Sequence, residues 1–106
     1  MNYDITESAL TNIVSLSLED QPHIRLNQVA SRSVGDVLAG KRPKAVRVDR
    51  QGDGVLVEVL VNVDYGQNVH ELAHGVQRSV SEAVLASTGL KVHSVNVTVV
   101  SVDVKD

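Results

Sequence analysis

The stretch VLVEVLVNVDYGQNVHELAHGVQRSVSEAVLASTGLKVHSVNVTVVSVDV, from Val55 to Val104, decides the fold. It opens with Val55, Val57, Val59, Val61 and Val63 on one side of a period of two, and Glu58, Asn62 and Asp64 on the other. Alternation of this kind predicts a strand with one buried face. Tyr65-Gly66-Gln67-Asn68 then breaks the pattern, and Asn68 with Glu71 three residues later has capping-box spacing. Val69, Leu72, Ala73, Val76, Val80, Ala83 and Val84 follow at helical spacing as a buried stripe. Gly89 predicts a left-handed helix end, with Leu90 folded back onto the last turn. A second valine-rich strand over 91–104 changes phase, from Val95, Val97 and Val99 to Val100, Val102 and Val104. That change implies a β-bulge or a strand buried on both faces.

Upstream, Ala45 to Asp49 alternates as a strand, and Gln51-Gly52-Asp53-Gly54 supplies residues able to take positive φ. A hairpin over 45–64 follows. Residues 1–5 read as an extended lead-in. Thr6 is placed to cap a helix over about 7–20, with Glu7 in its first turn and Leu10, Ile13, Val14 and Leu18 as its apolar stripe, ending before Pro22. Residues 23–45 show no sustained period, because Gly35 and Gly40 interrupt Val29, Val34, Val37 and Leu38; a short helical turn within a connection is the reading there. These elements predict one α+β domain over 1–106: two layers, with helices packed on one face of a mainly antiparallel three- to four-stranded sheet.

Composition narrows the function. The chain has no Phe, Trp or Cys and only Tyr3 and Tyr65 as aromatics, so valine, leucine and alanine must fill the core. Valine suits a pleated surface because its branched Cβ packs well there. Without cysteine there is no disulfide, thiolate metal site or cysteine nucleophile. Met1-Asn2-Tyr3-Asp4 lacks the basic and apolar regions of a secretion signal, and no apolar run nears the roughly 20 residues that cross a bilayer. A cytoplasmic protein without membrane insertion is expected. A net charge of −3 and a sheet without aromatics for base stacking argue against nucleic-acid binding.

His70-Glu71-Leu72-Ala73-His74 spells HExxH, the pattern in which two histidines bind zinc and the glutamate activates a water. Three considerations oppose a metal site. The extended zinc motif would need Gly and His where Gln77 and Val80 stand, and no glutamate follows Glu82. His74 precedes Thr88 by about 21 Å of helix at ~1.5 Å per residue. A strand returning along the helix at ~3.3 Å per residue therefore draws level with His74 near Val95 to Val97, beyond His93. Asn96 and Thr98, which stand there, are poor zinc ligands. His23 stays open as a third ligand. On a wheel with Val69 at zero and about 100° per residue, the apolar stripe centres near 10° and Glu71 falls near 200°, on the solvent side. No catalytic, cofactor-binding or metal residue is therefore assigned. A minimal zinc-dependent hydrolase on His70, Glu71 and His74 is the alternative.

The frame around that motif resembles the alkaline-shock-protein family of envelope stress proteins, known mainly from Gram-positive bacteria. The resemblance rests on Gly40-Lys41-Arg42, Lys44-Ala45-Val46-Arg47-Val48, Val63-Asp64-Tyr65-Gly66-Gln67-Asn68-Val69, Val76-Gln77, Val80 through Ala83-Val84, Thr88-Gly89-Leu90-Lys91-Val92 and Val95-Asn96-Val97, and covers about 38–102. Gln21-Pro22-His23-Ile24 departs from the glycine-rich segment of that family. The resemblance implies a non-enzymatic scaffold for envelope homeostasis, with no cofactor. It also implies self-association into a homo-oligomer and protein partners, one of them membrane-anchored and able to recruit the chain to the membrane periphery.

Three further features can be set beside it. Leu56 and Leu60 punctuate the polar row of the valine strand, and Val100, Val102 and Val104 join them if the bulge turns them outward. That surface is either a protein-binding patch or is covered by residues 23–45. Lys41, Arg42, Lys44, Arg47 and Arg50 form a basic cluster that reads first as a solvated loop and second as an anion site. Tyr65-Gly66 reads as a strand-to-helix corner with the tyrosine packed over it.

Overall fold

The computed structural model describes residues 4–27 and 45–104. Chain order is α1 (Glu7–Glu19), β1 (Ile24–Leu26), β2 (Val46–Gln51), β3 (Gly54–Asp64), α2 (Val69–Thr88) and β4 (Lys91–Asp103). Both helices begin as their caps dictate. Thr6 Oγ1 accepts the Ala9 N–H at 3.0 Å, and Asn68 Oδ1 accepts the Glu71 N–H at 3.1 Å. Gly89 ends α2 at φ 75°, and its N–H donates to the Leu85 carbonyl.

β3 is the axis of the sheet. β2 lies antiparallel along its first half, from Gln51↔Gly54 to Val46↔Val59, and β1 along its second half, from Leu26↔Val61 to Ile24↔Val63. β1 and β2 thus share one edge of β3, end to end. β4 takes the other edge, parallel to β3, from Gly54↔Lys91 to Asp64↔Asp103. Two of the three strand pairings are antiparallel, giving the expected α+β sheet. The parallel pairing is the β3–α2–β4 crossover, which a helix running back along the sheet requires.

The helices lie on one face. Val55, Val57, Val59, Val61 and Val63 are at most 1% exposed, as are Leu10 and Val14 of α1 and Val76, Val80 and Val84 of α2. Fully burying side chains of this size contributes about 1.5–3 kcal/mol each relative to leaving them in water. Leu72, Ala73 and Ala83 are half-buried as part of the expected α2 stripe, whereas Val69 at its start is exposed.

Three expectations need correction. Ile24–Leu26, expected as part of an irregular connection, is a strand; three residues carry too little alternation to announce a strand, and only the free length of β3 beyond β2 makes one there. The remainder of that segment, 28–44, where the short helical turn would fall, lies outside the described residues. Tyr65 is 71% exposed, so it does not pack over the corner, although Gly66 does turn at φ 92°. Finally, β4 has two register shifts, at His93 and at Val100. The second restores phase, so that Val102 pairs with Val63 on the helix-facing row rather than joining Leu56 and Leu60.

Gly54 opens β3 where β4 begins. A Cβ there would lie 2.6 Å from the Lys91 carbonyl oxygen and collide with the His93 ring. Gly54→Ala should therefore cost about 1–3 kcal/mol of stability through forced repacking, read as a lower urea midpoint at an unchanged m-value.

Candidate functional site

His70 and His74 stand one helical turn apart on the surface of α2. Their ring centroids are 4.5 Å apart and both residues are exposed. With Glu71, Gly75 and Arg78 they line a shallow, open groove. Gln77 fixes the height of the strand beneath, since its Nε2 donates to the Val95 carbonyl at 3.1 Å. One turn earlier on α2, His74 is thus level with the strand just beyond Val95, as the rise per residue requires. His93 lies nearer the start of β4, with Nε2 3.6 Å from Asp53 Oδ1. His23 is engaged elsewhere, through Nδ1 to Asp64 Oδ2 at 3.2 Å. Among the described residues no group of three or more His, Cys, Asp or Glu is placed to hold a metal ion. Among the described residues the motif supplies two neighbouring imidazoles, and no third His, Cys, Asp or Glu is grouped with them and Glu71 to complete a coordination sphere.

The polar site that the structure does build is at the far end of the sheet. Asp64, last on the polar row of β3, is 5% exposed. Its Oδ1 accepts Arg25 Nη1 at 3.0 Å while its Oδ2 meets His23. Arg25 also pairs through Nη2 with Asp103 of β4, whose other carboxylate oxygen accepts the Ser101 hydroxyl at 2.8 Å. One guanidinium thereby ties the ends of β1, β3 and β4 together. The hydrogen bond to Asp64 is the largest cause of the raised Arg25 pKa, with partial desolvation opposing it and Asp103 adding to it. A pKa raised on folding means stability that is complete below the unfolded-state value and lost as pH climbs through the folded one. For an arginine that window lies in strongly alkaline solution, so this tie is insensitive to the Arg25 proton near neutrality.

His23 holds a left-handed backbone at φ 66°, unusual without glycine. Two bonds to the same residue keep it there: the ring contact to Asp64 and the Asp64 N–H donated to the His23 carbonyl at 2.9 Å. Asp64 was visible in the sequence only as the end of an alternating row. Nothing in its spacing pointed to His23 or Arg25, which lie 41 and 39 residues away.

Of the basic cluster, Arg47 is 3.9 Å from Glu58 and Arg50 donates to the Ile5 carbonyl at 3.4 Å. Lys41, Arg42 and Lys44 lie outside the described residues.

A two-layer α+β domain with a βαβ crossover and a polar clasp at one sheet end defines the class of the protein. Within that class, the chain belongs to the alkaline shock protein 23 family, described by a cell envelope-related function and matched over residues 1–104. It is similar to two uncharacterized proteins of Bacillus subtilis (strain 168). YloU is 36% identical over 61 residues, or 58% of this chain and 51% of that protein. YqhY is 29% identical over 59 residues, or 56% of this chain and 44% of that protein. The matches span about half the length of these curated relatives. Among solved structures, a copper form of a MamM CTD variant covers 92% of this chain and 100% of its own, at TM-score 0.54 and 17% identity. MamM-CTD 215-293 covers 91% and 99%, at 0.53 and 18%. At such identities the likeness shows the fold alone.

Two outcomes follow for the sites. Protein purified without a histidine tag should hold no stoichiometric zinc by elemental analysis; one zinc per chain, lost in His74→Ala, would restore the hydrolase reading. Asp64→Ala should lower Tm more than Asp103→Ala, because Asp64 is the buried carboxylate shared by His23 and Arg25, while Asp103 lies at the rim.

Proposed function

We propose that this protein is a non-enzymatic interaction module of the cell envelope, acting from the cytoplasmic side through self-association and protein partners. In this reading one partner is membrane-anchored and brings the chain to the membrane periphery. Recruitment by a partner is consistent with the helices described, none of which is long and apolar enough to cross a membrane.

The observation that carries the reading is the one-sided layering of the sheet. Among the described residues, α1 and α2 pack on the valine face, and the opposite face holds Arg25, Arg47, Glu58, Asn62, Asn96 and Thr98 around the half-buried Leu56 and Leu60. Apolar side chains are also exposed along the β4 side: Val100 is 48% exposed, Val102 51% and Val104 73%. An arrangement with few enclosed polar groups and a broad open sheet suits contact with another protein better than capture of a small substrate. The family's envelope-related description supplies the setting.

Light scattering behind size-exclusion chromatography should show a concentration-dependent mass above that of the monomer. In cells, a photocrosslinking residue at Leu60 should trap envelope-associated protein, while one at Glu82 on the solvent side of α2 should not. A strict monomer that crosslinks to nothing from either position overturns the proposal.

A further inference from the structure

β4 is a 13-residue strand with one edge on β3 and, among the described residues, no strand on the other. Long free edges are normally guarded by charge, proline or brevity, because their unpaired N–H and C=O groups template further pairing. This edge is not guarded in that way. From Val92 to Val102 it contains no Asp, Glu, Lys, Arg or Pro, and six of its eleven residues are valine.

The orientation of the backbone shows which residues face that edge. The Val95 carbonyl accepts from Gln77 of α2, and the Asp103 carbonyl accepts the Tyr65 N–H on the β3 side. In a parallel ladder every second residue turns its backbone groups to the neighbouring strand, and the residues between turn theirs away. Val97 and Val99 share the orientation of Val95, and Val102 alternates with Asp103. The helix-facing valines are therefore also those whose backbone groups point to the open edge.

The edge is, in addition, self-complementary. We propose that β4 pairs antiparallel with β4 of a second copy about a two-fold axis at Val97, joining two four-stranded sheets into one. This rests on the self-association reading above and names its surface and register. Around that axis Val97 meets Val97, Asn96 meets Thr98, Val95 meets Val99, Val92 meets Val102 and Lys91 meets Asp103. Each pair joins residues of the same sheet face, as the β3 register assigns them. The extra residues His93 and Val100 fall on opposite sides of the axis, so the bulge of one strand offsets that of its partner and the outer pairs return to register. Lys91 opposite Asp103 adds two symmetry-related ion pairs. The pairing satisfies the open backbone groups, with the Val95 carbonyl, which already accepts from Gln77, using its second lone pair, and it covers Val102, which α2 leaves half exposed. A two-fold pairing of identical strands also closes on itself, leaving no new edge.

The absence of cysteine from the chain gives a direct test. Val97→Cys should yield a disulfide-linked dimer under mild oxidation, because residues on the axis sit at a Cα separation of about 5.5 Å. Leu85→Cys, on exposed α2 surface, should not. Val97→Pro removes an edge donor without touching the β3 ladder. Val102→Lys sets a charge at an exposed position opposite Val92. Each should weaken self-association at least tenfold by sedimentation, with the circular dichroism spectrum unchanged. If the unaltered protein self-associates while Val102→Lys leaves its mass unchanged and Val97→Cys fails to crosslink, the β4 register is wrong and self-association stands. If the unaltered protein is monomeric at every concentration, both fail.

Discussion

Everything in this domain leans on the burial of β3. Its five inward valines are sealed by two helices, and each of its edges is occupied, by β1 and β2 on one side and β4 on the other. A strand enclosed in this way has every ladder group paired and its apolar row out of water, so register is strongly specified: a slip of one residue would bring Glu58 and Asn62 into the core. The remaining elements take their positions from it. α2 must cross over the valine row to deliver β4 to the open edge, and α1 covers the part of that row beside β2 and β1.

This explains which parts of the structure could be read in advance. Alternation over the residues of β3 and helical spacing over α2 are long enough for periodicity to be unambiguous, and Thr6, Asn68 and Gly89 mark ends through local chemistry that needs no tertiary information. The phase change in β4 announced a bulge for the same reason. β1 was not legible because its conformation follows from a partner more than thirty residues away, and the exposure of Tyr65 was missed because nothing local decides what lies over a corner. The first bulge, at His93, is masked because Lys91, His93 and Ser94 are all polar and give no apolar phase to lose.

The two polar constellations differ in the same physical terms. His70, Glu71 and His74 attract notice because they are close in sequence, yet one helical turn supplies only neighbours on a surface. The clasp at the sheet end has no sequence signature, since His23, Arg25, Asp64 and Asp103 come from three strands and a loop. Burial distinguishes them: Asp64 is 5% exposed and must be partnered, which fixes Arg25 and the left-handed His23 around it, whereas both α2 histidines are free in solvent.

Layering on a single face has a further consequence for assembly. A central strand paired on both sides cannot exchange partners, so new contacts of the described sheet fall on its open face and its outer edges, of which the β4 edge is the longest. The open face is dominated by charged and amide side chains, with two half-buried leucines, and recognition there would rest on side-chain complementarity. The β4 edge offers backbone groups and valines in fixed register, so recognition there depends on strand length and symmetry more than on particular side chains. If β4 pairs as proposed, the open face and the β4 edge are separate surfaces of the sheet, and side chains of the open face can change without altering the backbone register on which the edge pairing depends.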